Sequence, residues 1–153
     1  MISLFIFKLN SRGMQYGIGT YINELTLALS IFSDIEIFII FYQSSDIKEY
    51  TLKEKSDRIY EIKIPRPSIY NSQNSCKERK YASSVVRFLS EIIGTKEKII
   101  FQFNCIDDFP IIMEIKKQFD FPILSIVHFA QFQQISKGIN MKIAAMNLDI
   151  PTH

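Results

Sequence analysis

Residues 16–25 read Tyr16-Gly17-Ile18-Gly19-Thr20-Tyr21-Ile22-Asn23-Glu24-Leu25. They join an apolar run, residues 2–8, to a periodic segment, residues 18–32. Two glycines at a strand-to-helix turn let the backbone approach a bulky or charged group. The helix start behind them presents N–H groups with no acceptor inside the helix and a partial positive charge, which suits a phosphate. The same spacing also serves close packing of a helix on a sheet, so the turn alone leaves both readings open.

The flanking segments decide the fold class. Residues 2–8 are short, continuous and rich in Ile and Phe, as a strand buried on both faces is. Residues 10–16 read as a polar loop. Residues 18–32 read as a helix with the stripe Ile18, Ile22, Leu25, Leu29 and Phe32. Residues 35–43 form a second apolar strand, and residues 44–57 a polar loop with a weak helical turn. Residues 58–64 alternate as a strand with one wet face, stopped by Pro65-Arg66-Pro67. After a loop over residues 71–77, residues 78–93 give a second helix, with Tyr81, Val85, Phe88 and Ile92 on one stripe and Gly94 as its C-cap. Residues 98–103 read as a strand, and Asp107, Asp108 and Pro110 announce a helix over residues 111–119. Residues 121–128 read as a last buried strand, and residues 137–148 have helical character without a stop signal.

Strands apolar on both faces, alternating with helices, predict a three-layer α/β/α domain. Its sheet is mostly parallel, with residues 2–8 at the centre. The 153 residues, 47% of them hydrophobic, suffice for one such core, and nothing marks a repeat or an internal linker. A net charge of +2 does not argue for nucleic acid. Cys76 and Cys105 lack metal-ligand spacing, so a reduced, cytoplasmic protein with unpaired thiols and no metal is expected. No basic segment precedes the first apolar run, and no run approaches the roughly 20 residues of a spanning helix.

The glycine turn matches no common nucleotide fingerprint. Ile22 stands where the third glycine of a dinucleotide motif belongs, and the second strand ends Phe41-Tyr42-Gln43 instead of in an acid, which disfavours NAD. Gly13 and Gly17 are too close for a P-loop, and no lysine follows them. Lys8, Asn10 and His128 occupy the positions where a phospho-receiver would place its acids and its lysine.

Residues 17–25 resemble the opening of GT-B glycosyltransferases, in particular the retaining glycosyltransferase 4 type. Those proteins commonly run from an apolar strand through Gly-Gly-Ile-Gly-x-Tyr into a helix with a leucine stripe. Gly17, Ile18, Gly19, Tyr21 and Leu25 match, whereas Tyr16 replaces the first glycine. Residues 123–128 look like that family's apolar strand ending in His, but Phe129 stands where an Asp often follows. The element order matches over most of the chain, the specific motifs over about a dozen residues. The resemblance implies a Rossmann-like domain, the N-terminal, acceptor-side domain of an enzyme that moves a sugar from a nucleotide sugar to a glycan or lipid-linked acceptor. It places Gly17, Ile18, Gly19 and Thr20 against the donor diphosphate and His128 near the transferred sugar as the catalytic candidate. It implies no metal and no cofactor beyond the donor. It also implies a C-terminal, donor-binding domain that residues 1–153 do not contain. The expectation is thus an N-terminal fragment, inactive alone.

Other residues carry weaker signals. Asn10 and Arg12 follow the first strand, and Asn104 and Asp107 follow the strand ending at Phe103. All four lie at the carboxyl edge, where they could bind acceptor hydroxyls or simply form solvated loops and, for Asp107 or Asp108, a helix cap. Lys77, Lys80 and Arg87, with Arg66 and Arg79, form either a solvated face or a peripheral contact with anionic lipid worth about 1 kcal/mol per basic residue. The competing functions are a non-catalytic α/β module that binds a partner and another small-molecule-binding Rossmann-like domain.

Overall fold

Ile2–Leu9 forms β1, and the rest of the domain is arranged around it. The computed structural model describes residues 1–9, 17–67, 75–104 and 108–126. After β1 come α1 (Ile18–Leu29), β2 (Ile35–Ser44), β3 (Thr51–Ser56), β4 (Ile59–Pro65), α2 (Ser75–Ile93), β5 (Lys98–Phe103), α3 (Phe109–Gln118) and β6 (Ile123–Ser125). They build one six-stranded sheet in the order β3-β4-β2-β1-β5-β6. β1 pairs in parallel with β2 on one side and β5 on the other, so the first apolar run is central, as expected. Among the described strands, only the β3–β4 pair is antiparallel.

The two faces of β1 feed two different cores. Phe5, Phe7 and Leu9 pack beneath α2 and α3 with Phe38, Ile40, Phe101 and Phe103. Phe5 stacks on Phe38 at 4.6 Å between centroids, and Phe7 on Phe103 at 4.3 Å. Such pairs add about 0.5–1.5 kcal/mol each beyond the area they bury. Leu4 and Ile6 face the other way and meet Ile18 and Ile22 of α1. The result is the three-layer α/β/α, Rossmann-like arrangement. α2 presents Tyr81, Ala82, Val85, Val86, Leu89 and Ile93 at helical spacing, and α3 presents Ile111 and Ile115.

Several expectations are corrected. Residues 51–56 are a strand, not part of a loop: β3 is exposed from Leu52 to Ser56 and pairs with β4, Lys53 opposite Glu61. Such an edge strand carries no apolar alternation to reveal it. The first helix ends at Leu29, three residues before the end expected for it, and Phe32 lies 49% exposed beyond it. α2 begins at Ser75 instead of residue 78, and α3 spans Phe109–Gln118 instead of residues 111–119. Gly94 follows α2 without a left-handed turn, and its N–H donates to the Ser90 carbonyl at 2.9 Å as a continuing helical bond. The last strand is not buried over residues 121–126. Among the described residues it is Ile123–Ser125 at the sheet edge, with Leu124 half exposed, and residues 127 and 128 of the expected strand lie outside them. Residues 137–148 lie outside the described residues.

One buried charge sits at the amino edge of the sheet. Glu36 on β2 is 4% exposed and accepts from the Ser3 hydroxyl on β1 and from Lys96, whose Nζ lies 2.8 Å away. The Lys96 ammonium also lies 5.2 Å from the centre of the Phe38 ring. Removing one member of a buried ion pair strands the other charge. Lys96→Met is therefore expected to cost about 3 kcal/mol in urea unfolding. Adding Glu36→Gln should restore part of that loss, because the two effects are coupled.

Candidate functional site

The strand order places a crevice. The connection out of β1 leads to α1 on one face of the sheet, while the connection out of β5 leads to α3 on the other. Neighbouring parallel strands whose connections diverge leave an opening outside their carboxyl ends, where ligands of open α/β sheets bind. β1 and β5 are such neighbours. The starts of α1 and α3 both face this edge, because each helix follows a parallel strand.

Gly17 begins α1. Its φ is +74° and its ψ −7°, a left-handed conformation, and its carbonyl accepts the Tyr21 N–H at 2.9 Å to close the first helical turn. A Cβ at Gly17 would meet nothing within 4 Å among the described residues, so its requirement for glycine is a backbone one. Gly19 and Ile18 are buried, Thr20 is exposed, and the first turn carries no acidic side chain. The N–H groups of Ile18, Gly19 and Thr20 have no acceptor inside the helix. Positive backbone potential with no carboxylate in that turn is the electrostatic arrangement an anion requires.

Asn104 leaves β5 at the same edge, where it was expected. It is 1% exposed, donates from Nδ2 to the Phe7 carbonyl at 3.0 Å, and accepts from Gln102 at 3.3 Å. Its amide thus ties the end of β5 to the end of β1 and fixes the floor of the crevice. Asp108 occupies the N-cap position of α3, but its side chain does not cap the helix. Its buried carboxylate instead accepts from the Tyr42 hydroxyl at the end of β2. Asn10, Arg12, Asp107 and His128 lie outside the described residues, so of the expected set only Gly17, Ile18, Gly19, Thr20 and Asn104 are described. Among the described residues no group of three His, Cys, Asp or Glu side chains gathers to hold a metal.

Lys8 entered the sequence argument only against a phospho-receiver pattern and not as a site residue. It shares the α1 face of β1 with Leu4 and Ile6, at the carboxyl edge, and its ammonium lies 5.1 Å from the centre of the Phe41 ring. Burial holds its pKa below the ordinary 10.5, with Glu61 opposing the shift. The signal in the sequence was a lone cation inside the last turn of an otherwise apolar strand.

Two outcomes follow. Gly17→Ala should cost about 1–2 kcal/mol in thermal or urea unfolding, the penalty of a side chain in the left-handed region. Gly17→Asn should cost less, because Asn tolerates that conformation and caps helices. For Lys8, the folded state sheds its proton before the unfolded chain does. Between the lowered folded value and 10.5 the unfolded chain binds more protons, so stability contributed through Lys8 rises with pH in that window. Urea midpoints followed through the alkaline range should show that rise for the parent and a flatter profile for Lys8→Met.

Comparison with known proteins bears on the fold. No protein-family model matches the chain, and no curated protein sequence matches it. Among solved structures, sucrose-phosphate synthase from Thermosynechococcus elongatus superimposes with a TM-score of 0.66 at 11% identity. The match covers 93% of this chain and 37% of that one, so this chain spans little more than a third of the protein it resembles. At that identity the likeness establishes the architecture: this chain has the mostly parallel, Rossmann-like α/β fold found in a GT-B glycosyltransferase.

Proposed function

We propose that this chain is the N-terminal, acceptor-side domain of a glycosyltransferase of the glycosyltransferase 4 type. Its donor is a nucleotide sugar and its acceptor a glycan or a lipid-linked saccharide. The observation that carries the reading is Gly17, left-handed and capping a helix with no acid in its first turn, at the carboxyl edge of a glycosyltransferase-like fold. In the reaction the anomeric carbon leaves the donor diphosphate and bonds to an acceptor oxygen. The acceptor proton is released and the nucleoside diphosphate departs.

Each residue has a part in this reading. The N–H groups of Ile18, Gly19 and Thr20 face the diphosphate, adding the roughly 0.3–1 kcal/mol of a helix-end attraction. Lys8 supplies a cation on the same face. His128 donates to a sugar hydroxyl or to charge developing at the reacting centre. Asn10, Arg12 and Asp107 meet acceptor hydroxyls, and Asn104 holds the floor beneath them. In this reading most of the nucleotide contacts belong to a donor-binding domain, and residues 1–153 by themselves bind nucleotide weakly. The exposed Lys77, Arg79, Lys80 and Arg87 of α2 support peripheral contact with an anionic membrane on the cytoplasmic side.

The test is a titration of the chain with a nucleoside diphosphate, followed by amide chemical shifts. Shifts should concentrate at Ile18, Gly19 and Thr20 with a dissociation constant in the millimolar range. Gly19→Ala should abolish them while leaving the unfolding midpoint nearly unchanged. Shifts elsewhere, none at all, or a response that Gly19→Ala leaves intact would remove the main support for sugar transfer.

A further inference from the structure

β3 ends the sheet, and among the described residues it is paired on one side only, with β4. The free side of such a strand presents a row of backbone N–H and C=O groups with no partner in the sheet. β3 is exposed from Leu52 to Ser56. It is nonetheless held in place at both ends. The Tyr50 ring, where the chain enters the strand, stacks on Phe88 of α2 at 4.5 Å. At the turn into β4, the Arg58 carbonyl accepts the Ile37 N–H at 2.8 Å, which ties the hairpin to β2. An edge already fixed in extended form has little left to order when another strand arrives.

The two faces of this edge differ. Register through β1, β2 and β4 sets Ile6, Ile39, Glu61 and Lys53 in one row on the α1 face. The Lys55 ammonium lies 3.6 Å from the Glu61 carboxylate, so Lys55 shares that face with Lys53. Two ammonium groups beside one carboxylate leave the rim of this face positive. On the other face Leu52 stands opposite the buried Ile62 and is half exposed, with Tyr50 beside it 40% exposed. Glu54 lies on that face too, opposite Tyr60.

A second copy of the chain fits this edge badly. In a symmetric antiparallel pair the facing residues share a face, so pairing along most of β3 centres on Lys53 or on Glu54. The first sets Lys53 against its own copy, and the second sets Lys53 against Lys55. Like charges directly opposite each other are destabilising. The same two lysines complement carboxylates at alternate positions of a different strand. We propose that β3 takes up an extended peptide segment of another protein as an added strand. The segment is acidic at the positions facing Lys53 and Lys55 and apolar at the position facing Leu52. Backbone hydrogen bonds along the open edge hold it, and its carboxylates select it. Such docking does not involve the start of α1, so it stands whether or not the chain takes part in sugar transfer.

The test titrates the protein with three end-capped hexapeptides, Glu-Val-Glu-Val-Glu-Val, Lys-Val-Lys-Val-Lys-Val and Glu-Glu-Glu-Val-Val-Val, followed by amide shifts and hydrogen exchange. The alternating acidic peptide should give saturable shifts at Thr51–Ser56 and slow the exchange of those amides. The basic peptide and the acidic peptide without alternation should bind about tenfold more weakly. Lys53→Gln and Lys55→Gln, both at exposed positions, should each weaken the alternating acidic peptide about threefold with the unfolding midpoint unchanged. Lys53→Glu combined with Lys55→Glu should turn the preference toward the basic peptide. Equal binding of either control peptide, saturable shifts centred away from β3, or no saturable shift would overturn the proposal. So would unaltered affinity in both single variants. Concentration-dependent shifts at β3 in the peptide-free protein would also overturn it, because they would assign the edge to a second copy.

Discussion

The edge that carries the candidate site exists because β1 is buried on both faces and paired on both sides. Phe5 and Phe7 are fully buried under α2 and α3, while Leu4 and Ile6 are buried under α1. Parallel pairing with β2 and β5 then aligns three strand ends at one level. In a parallel sheet each connecting helix begins where a strand ends, so positive helix ends and loop residues collect on that level. Gly17 can hold a left-handed conformation at the crevice because the strand before it and the helix after it are both fixed by apolar packing.

The polar groups at this edge divide into those that hold the floor and those that face outward. Asn104 and the Tyr42–Asp108 pair are buried, and they join β5 to β1 and α3 to β2. Thr20, Lys48 and Arg66 are exposed. A floor whose polar groups are satisfied leaves little to reorder beneath the start of α1. At the opposite edge, the Ser3–Glu36–Lys96 network joins β1 to β2.

The central parallel strands were legible because burial on both faces writes a continuous apolar run, and α2 because its buried positions repeat at helical spacing. β3 was not legible. Leu52-Lys53-Glu54-Lys55 is stabilised by cross-strand pairing with β4, including Lys55 near Glu61 at 3.6 Å, and such pairs leave no hydrophobic period. The glycine turn was legible as a turn, but which glycine is strained was not. Spacing treats Gly17 and Gly19 alike, whereas the fold places Gly19 inside the helix and gives the positive φ to Gly17. Asn104 was found by its position after a strand, but the carbonyl it bonds, that of Phe7, lies 97 residues away and leaves no local trace.

Hydrogen exchange of the backbone amides tests the central role of β1 most directly. If β1 is the strand on which both cores and the site edge depend, the amides of Ser3 through Phe7 exchange only by global unfolding and are among the slowest in the chain. Those of β3 and β6, at the two sheet edges, exchange far sooner. Fast exchange across residues 3–7, or protection at the edges that matches it, would contradict the account and leave the glycine turn without the fixed strand it requires.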